Sequence, residues 1–308
     1  MNKKFILNRL GRTVLTLVGV SIIAFMILHL APGDPARIML GQFATEENIE
    51  IFREQHHLDE PLPVQYGSWM SGVLKGDFGT SIRYNRPVSE LIFTRLRPTL
   101  SLTASALVLS VLLGFTLGIL AAIKRNSWLD YITTVQAMFW ISIPAFWLGI
   151  LFLYFFGLRL RWFPIGGMAG VVSLVLPVLA LGLREEAWFA RPMRSEMLEV
   201  LNQAYIRSAR ARGIKERVII AKHALRNALI PLVTMIALRL PWIIGGSVVI
   251  EVVFAWGGMG SLLVNSVLAR DFPVVQAILL LISFAVVMAN LLADLLYSVI
   301  DPRIRLED

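Results

Sequence analysis

The sequence predicts an all-α integral membrane protein with six transmembrane helices and a helical subdomain between the first and second. Three observations predict it: composition, the spacing of uncharged runs, and the placement of basic residues. Of 308 residues, 56% are hydrophobic and 16% charged, with a mean hydropathy of +0.69. Soluble domains carry about 25% charged residues, so an ordinary soluble enzyme is excluded. There is no cysteine, which excludes a disulfide-stapled fold, a zinc-thiolate centre and a cysteine nucleophile. Glycine and proline, 22 and 14, are at ordinary levels, so collagen-like and low-complexity classes also fall away.

A membrane-crossing helix needs about 20 largely apolar residues. Uncharged runs of that size fall at 13–31, 98–123, 131–158, 162–183 and 272–293, and a sixth at 227–250 is interrupted only by Arg239. One such run fits a buried core helix; six in one chain do not. The first follows Lys3, Lys4, Arg9 and Arg12, as a signal peptide would. Its apolar stretch is too long for one, and His29-Leu30-Ala31-Pro32 is a poor cleavage site, so it is expected to remain as a helix. With the amino terminus inside, the inner segments hold 18 Lys and Arg, against 3 in the short outer loops: Arg159, Arg161 and Arg270. Basic residues concentrate on the cytoplasmic side, so both termini are expected in the cytoplasm. The net charge of +8 then belongs to topology, and no nucleic-acid partner is expected.

Within this single domain, 1–308, two segments are too polar to be plain connectors. The outer segment 31–97 mixes 7 basic with 9 acidic residues. Thr45 fits the cap of a helix through Glu46, Glu47, Ile51 and Phe52, a second helix is expected over 64–74, and Gly76-Asp77-Phe78-Gly79 marks a turn. This subdomain either covers the outer mouth of a pore or only packs. The inner segment 184–226 predicts a helix over 194–212 ended by a left-handed Gly213, then a short amphipathic helix over 214–222. Such a helix suits docking into a groove on a cytoplasmic partner or lying on lipid headgroups.

Tyr205-Ile206-Arg207-Ser208-Ala209-Arg210-Ala211-Arg212-Gly213, followed by His223-Ala224-Leu225-Arg226-Asn227-Ala228-Leu229-Ile230-Pro231, resembles the cytoplasmic "EAA" loop of ABC importer permeases, in the form of the dipeptide/oligopeptide/nickel family. The resemblance covers nearly the whole chain. It includes Pro32-Gly33-Asp34-Pro35, Leu58-Asp59-Glu60-Pro61 and Ser142-Ile143-Pro144-Ala145-Phe146-Trp147. It continues through Gly245-Gly246-Ser247 with Glu251, Arg270-Asp271-Phe272-Pro273 and Asp301-Pro302-Arg303-Ile304-Arg305. Arg207-Ser208 and Leu225-Arg226 depart from the broad loop pattern in the way the peptide branch does.

The resemblance implies a type I ABC permease fold in a bacterial inner membrane. It implies a second homologous permease, two ATPase subunits that bind ATP and Mg, and an extracytoplasmic substrate-binding protein. Short peptides are the expected cargo, with nickel complexes, glutathione and oligosaccharides as alternatives. It also places Ala209, Ala211, Gly213, Ile214, Lys215 and Glu216 in or beside the segment that receives the ATPase stroke. No cofactor or metal is expected in this chain. None of its six Lys follows a Gly, so the phosphate-binding loop G-x-x-x-x-G-K-[ST] is missing and a separate ATPase is required.

Ionisable groups at membrane depth are costly and mark candidate sites. Arg239 lies 13 residues after Arg226, about 20 Å along a helix, near mid-bilayer. Glu185 and Glu186 fall toward the inner end of the fourth span. Either these groups line the path and contact charged parts of cargo, or Arg239 pairs with Glu185 or Glu186. Asn290, Asp294, Tyr297 and Asp301 share one helix face by spacing and are further path or hydrogen-bonding candidates. Gly114 and Gly118 form a small-residue packing motif. His56 and His57 are adjacent, so they do not share a helix face, and no metal set is expected. A membrane-embedded hydrolase is the reading from another class. It lacks support, because Asp294 is the only intramembrane aspartate and no serine–histidine pair is placed at depth.

Overall fold

The structure is a computed structural model that describes residues 3–30, 34–40, 45–55 and 58–300. Pro32, Gly33, His56, His57, the side chain of Tyr297 and residues 301–308 lie outside the described residues. Apart from one isolated bridge between Thr80 and Pro87, the regular elements among the described residues are helices.

Helix α1 (Lys3–Leu30) is followed by three short helices, α2 (Pro35–Leu40), α3 (Glu46–Gln55) and α4 (Leu62–Leu74). Thr45 caps α3: its hydroxyl accepts the Asn48 N–H at 3.3 Å, and Glu46 and Glu47 fill the first turn, where acids favour the helix dipole. Gly76 and Gly79 take φ of +83° and +79°, which side chains resist, and turn the chain into a hairpin closed by Val88 N–H to Gly79 O. Helix α4 binds back onto α1 through a Ser21–Tyr66 hydroxyl contact of 2.6 Å and an aromatic group of Phe25, Tyr66 and Trp69.

Helix α5 (Val88–Ile123) has 36 residues, about 54 Å at 1.5 Å each, and overruns a bilayer core. The apolar run 131–158, expected as one span, is broken. Helix α6 (Trp128–Ser142) and α7 (Ala145–Phe152, continued by a π turn to Arg159) meet at 98°. The cause is local. A residue before proline avoids the helical region, and Ile143, before Pro144, sits at φ −93°, ψ 127°.

Helix α8 (Val171–Leu201) runs through Pro177 and Pro192 for 31 residues. Short elements α9 (Ala204–Ala211), α10 (Glu216–Val218) and α11 (Leu225–Ala228) lead to α12 (Ile230–Val253), α13 (Met259–Leu268) and α14 (Phe272–Ile300). By length and apolar character alone, α1, α5, α12, α14 and the bent α6–α7 pair qualify as spans. Helix α8 takes the place of the expected fourth span. It is apolar from Val171 to Leu183 and then carries Arg184, Glu185 and Glu186; the two glutamates find partners in neighbouring helices.

Packing explains the centre of the bundle. A Cβ on Gly114 would fall 2.6 Å from Phe189 Cβ, and one on Gly118 2.5 Å from the Ala190 carbonyl. Helices α5 and α8 therefore touch backbone to backbone, and this is the most extensive helix contact among the described residues. Leu102, Ala106, Leu176, Leu181, Ile243 and Ile250 of α5, α8 and α12 fill the centre. One end of the bundle, the basic end, carries 124–127 and 201–229; the far end carries 143–170 and 254–271.

Candidate functional site

At the basic end the segment 194–212, expected as one helix, is two. Helix α8 stops at Leu201, Gln203 is extended (φ −67°, ψ 151°), and α9 starts afresh. Gly213 takes φ +74°, and Ile214 N–H reaches back to Ala209 O at 3.3 Å, closing α9 as a left-handed glycine permits. The expected helix over 214–222 is a single turn, α10, that widens into a π turn over Ile219–Ala224. Arg210 straddles the reversal, donating to both Glu216 oxygens at 3.1 and 2.7 Å. That guanidinium holds the Glu216 carboxyl below the usual carboxylate range.

The apolar face of this module is its anchor. Ile206, Ala209, Ile219, Ala224 and Ala228 are buried against Met193 and Met197 of α8 and Leu232 of α12. Ala211, Gly213, Lys215 and Glu216 are exposed, and Ile214 is half-buried. The result is a basic, outward-facing turn on a fixed apolar base.

Sequence reasoning missed the residue that ties α6 to α8 near this module. Asp130, on the first turn of α6 and 4% exposed, accepts Arg194 Nε at 2.6 Å, Arg194 Nη2 at 2.8 Å and the Asn126 N–H at 3.0 Å. A bidentate arginine–carboxylate pair is strong and directional. Asn126-Ser127 followed by an acid is a helix-start pattern, so half of this contact was available in the sequence; Arg194, 64 residues on, was not.

At membrane depth, α8, α6 and α12 sort the ionisable groups. Arg239 donates to Glu185 Oε2 from Nε at 3.1 Å and from Nη2 at 2.5 Å. Its guanidinium stacks 4.2 Å over Trp188, with Trp242 at 5.7 Å. Arg184 Nη1 donates to Glu185 Oε1 at 3.4 Å. Glu186 turns instead to α6, where Gln136 Nε2 lies 3.0 and 3.2 Å from its two oxygens. On α14, Asn290 is exposed, and Asp294 pairs with Arg9 of α1 at 2.7 Å.

The far end is fastened by two buried carboxylates. Glu251 accepts the Thr99 hydroxyl at 2.6 Å and the Ser261 N–H at 3.0 Å, while Thr99 Oγ1 accepts the Met259 N–H at 2.8 Å. A Cβ on Gly258 would lie 2.5 Å from the Glu251 carboxylate. Trp256 Nε1 donates to Pro98 O at 3.0 Å, and Arg95 Nη1 to Gly257 O at 2.9 Å. At the other end of α13, Asp271 accepts from the Ser81 hydroxyl at 2.5 Å and the Ile82 N–H at 3.1 Å.

The chain matches the family model described as binding-protein-dependent transport system inner membrane component over residues 114–306, and the N-terminal model of such components over 2–103. It is 44% identical over 301 residues to the glutathione transport system permease protein GsiC of Salmonella choleraesuis, covering 98% of both chains. The GsiC of Escherichia coli K12 is 43% identical over the same share. In fold it is similar to an inward-facing MetNI methionine ABC transporter chain, with TM-score 0.59 and 21% identity over 68% of this chain and 96% of that one. A second likeness is to an amino acid ABC transporter, with TM-score 0.54 and 16% identity over 67% and 92%. A bundle of this fold, matched by the family end to end, belongs to the binding-protein-dependent transport system inner membrane components: it is a multi-pass inner-membrane permease of an ABC importer, not an enzyme, and works with partner subunits such as an ATPase and a substrate-binding protein.

Proposed function

We propose that the chain forms half of the translocation pathway for short peptides, glutathione among them, beside one second homologous permease. Two ATPase subunits bind ATP and Mg and seat on the basic turn made by Ala209, Ala211, Gly213, Ile214, Lys215 and Glu216. An extracytoplasmic binding protein delivers cargo to the far end, and both termini face the cytoplasm. Arg239, Glu185, Glu186, Asn290 and Asp294 belong to the path or its wall.

The observation that carries the cargo reading is the 44% identity to a glutathione permease over 98% of both chains. The geometry supports the seat: the 204–229 module buries its apolar side in the bundle and leaves its charged side free. Co-purification with the ATPases and cargo-stimulated ATP turnover in proteoliposomes test both. Tri-alanine or glutathione, loaded on the binding protein, is expected to raise turnover. Stimulation by an oligosaccharide or a nickel complex, with no response to any peptide, would reject the peptide reading while keeping the importer.

A further inference from the structure

At depth two arginines lean on one carboxylate, while the neighbouring carboxylate is turned away from them. Among the described residues, the ion pairs of Arg184 and of Arg239 are both made with Glu185. Two guanidinium groups thus share one carboxylate, whose side chain is 1% exposed. Glu186 is occupied by Gln136 on α6. Arg184 Nε is buried with no hydrogen-bond partner among the described residues, although burying an unpaired donor is costly.

The cluster is also open. Arg184 is 37% exposed along its side chain, and Trp242, beside Arg239, is 68% exposed. Arg184 lies 13 residues into α8 and Arg239 nine into α12, about 20 and 13 Å along their helices, so neither sits at a helix end from which it could reach water by extending. Ionisable groups at such depth face a bundle interior or a water-filled cavity, not lipid. The Nε–Nη2 fork of Arg239 is held by Glu185, and one face of its guanidinium is covered by Trp188. What is left for a visitor is an in-plane approach to the outer edge of Arg239 and to Arg184. The buried Nε of Arg184 still lacks an acceptor, and an anion small and planar enough for that edge would supply one.

We propose that Arg184 and Arg239, bridged by Glu185 and flanked by Trp188 and Trp242, form a carboxylate-recognition point in the translocation path that takes the free carboxylate of a peptidic cargo. It rests on the peptide reading above. Glu185 serves as the resident counter-ion: it keeps Arg239 oriented, and its single charge leaves the pair of arginines receptive to a second carboxylate.

The test uses the solubilised importer, permeases with ATPases, and two labelled probes, tri-alanine and its C-terminal amide. The intact importer is expected to retain the acid about tenfold better than the amide, the size of one charge-assisted hydrogen bond. Arg184→Gln is expected to erase that preference and Arg184→Lys to keep part of it. Arg239→Gln strands buried Glu185 and carries a folding risk; Arg184, the more exposed partner, carries the test. Equal retention of acid and amide by the intact importer overturns the proposal, as does a preference that survives Arg184→Gln. If tri-alanine drives ATP turnover and transport yet is not distinguished from its amide, only the recognition point falls. If no peptide is transported but another cargo is, the peptide reading falls and takes the point with it.

Discussion

Replacing Asp130 by asparagine is expected to loosen α6 from α8 by about 2 kcal/mol. Asparagine keeps the shape and one oxygen acceptor but loses the charge and the second acceptor. Arg194 now reaches Asp130 with two nitrogens, at 2.6 and 2.8 Å, so one charge-assisted bond disappears and the other weakens. Each such bond contributes about 1.5–3 kcal/mol. Arg194 is 31% exposed along its side chain, so water recovers part of that, which brings the net cost to about 2 kcal/mol. At about 1.4 kcal/mol per factor of ten, the unfolding equilibrium shifts roughly 30-fold. Reversible SDS titration of the purified permease measures it, in a double-mutant cycle with Arg194→Gln. A coupling energy above about 1 kcal/mol is expected. If the two single changes add to within about 0.5 kcal/mol, as independent sites do, the clamp is not an energetic unit.

Gly118→Ala is expected to lower the thermal midpoint, since overpacking costs about 1–3 kcal/mol and the new Cβ would meet Ala190 O at 2.5 Å. Gly11→Ala, with nothing within 4 Å of its Cβ, leaves the midpoint unchanged or higher, and equal losses at both sites would contradict the α5–α8 contact. Because Arg210 depresses the Glu216 carboxyl, the pair stabilises above the ordinary glutamate range and its contribution is lost as pH falls through the lowered value. The pair is half exposed, so this is about 0.5 kcal/mol, read as lower amide protection factors over 210–219 in acid, taken relative to the intrinsic rate at each pH; Glu216→Gln should show that lower protection already at neutral pH. Thr99→Val strips the hydroxyl shared by Glu251 and the Met259 amide and is expected to cost about 2–3 kcal/mol. Its protection loss should concentrate in 256–262; a uniform loss across α5 would point to general packing instead.

Features decided within a few residues were readable from the sequence. Thr45, Gly76, Gly79 and Gly213 each act through their own backbone or the next turn, and each sits where its chemistry placed it. Pro144 was equally visible, but counting uncharged residues from 131 to 158 measures apolar length and ignores the constraint on Ile143, so the bend went unseen. The partner of Arg239 was open between two adjacent glutamates. Neighbours on a helix point about 100° apart, and only the rotation of α8 against α6 and α12 assigns Glu185 to Arg239 and Glu186 to Gln136. Asp130 looked like the edge of an apolar run. Its role depends on a residue 64 positions away, which no local pattern encodes.

These contacts also decide where the bundle can bend. The 204–229 module is buried on Met193, Met197 and Leu232, with Ala122 of α5 in the same cluster, so a load on it enters α8, α12 and the end of α5. Helix α5 must follow α8, because Gly114 and Gly118 leave no side-chain layer to shear between them. At the far end, residues 95–99 of α5 hold the 256–261 turn through three hydrogen bonds, Arg95 to Gly257, Trp256 to Pro98 and Met259 to Thr99, and Thr99 also donates to Glu251 of α12. The start of α12's exit loop is therefore pinned to the same block. Helix α6 is tied to α8 at its first turn through Asp130 and further along through Gln136, and ends at Ile143-Pro144 in a 98° turn. Closely packed interfaces switch between discrete arrangements rather than deform continuously. Helices α5, α8 and the α12–α13 turn are thus joined as one piece, and α7 rests on it through Ala145 and Phe152, with a Cβ on Gly149 only 3.0 Å from Phe254.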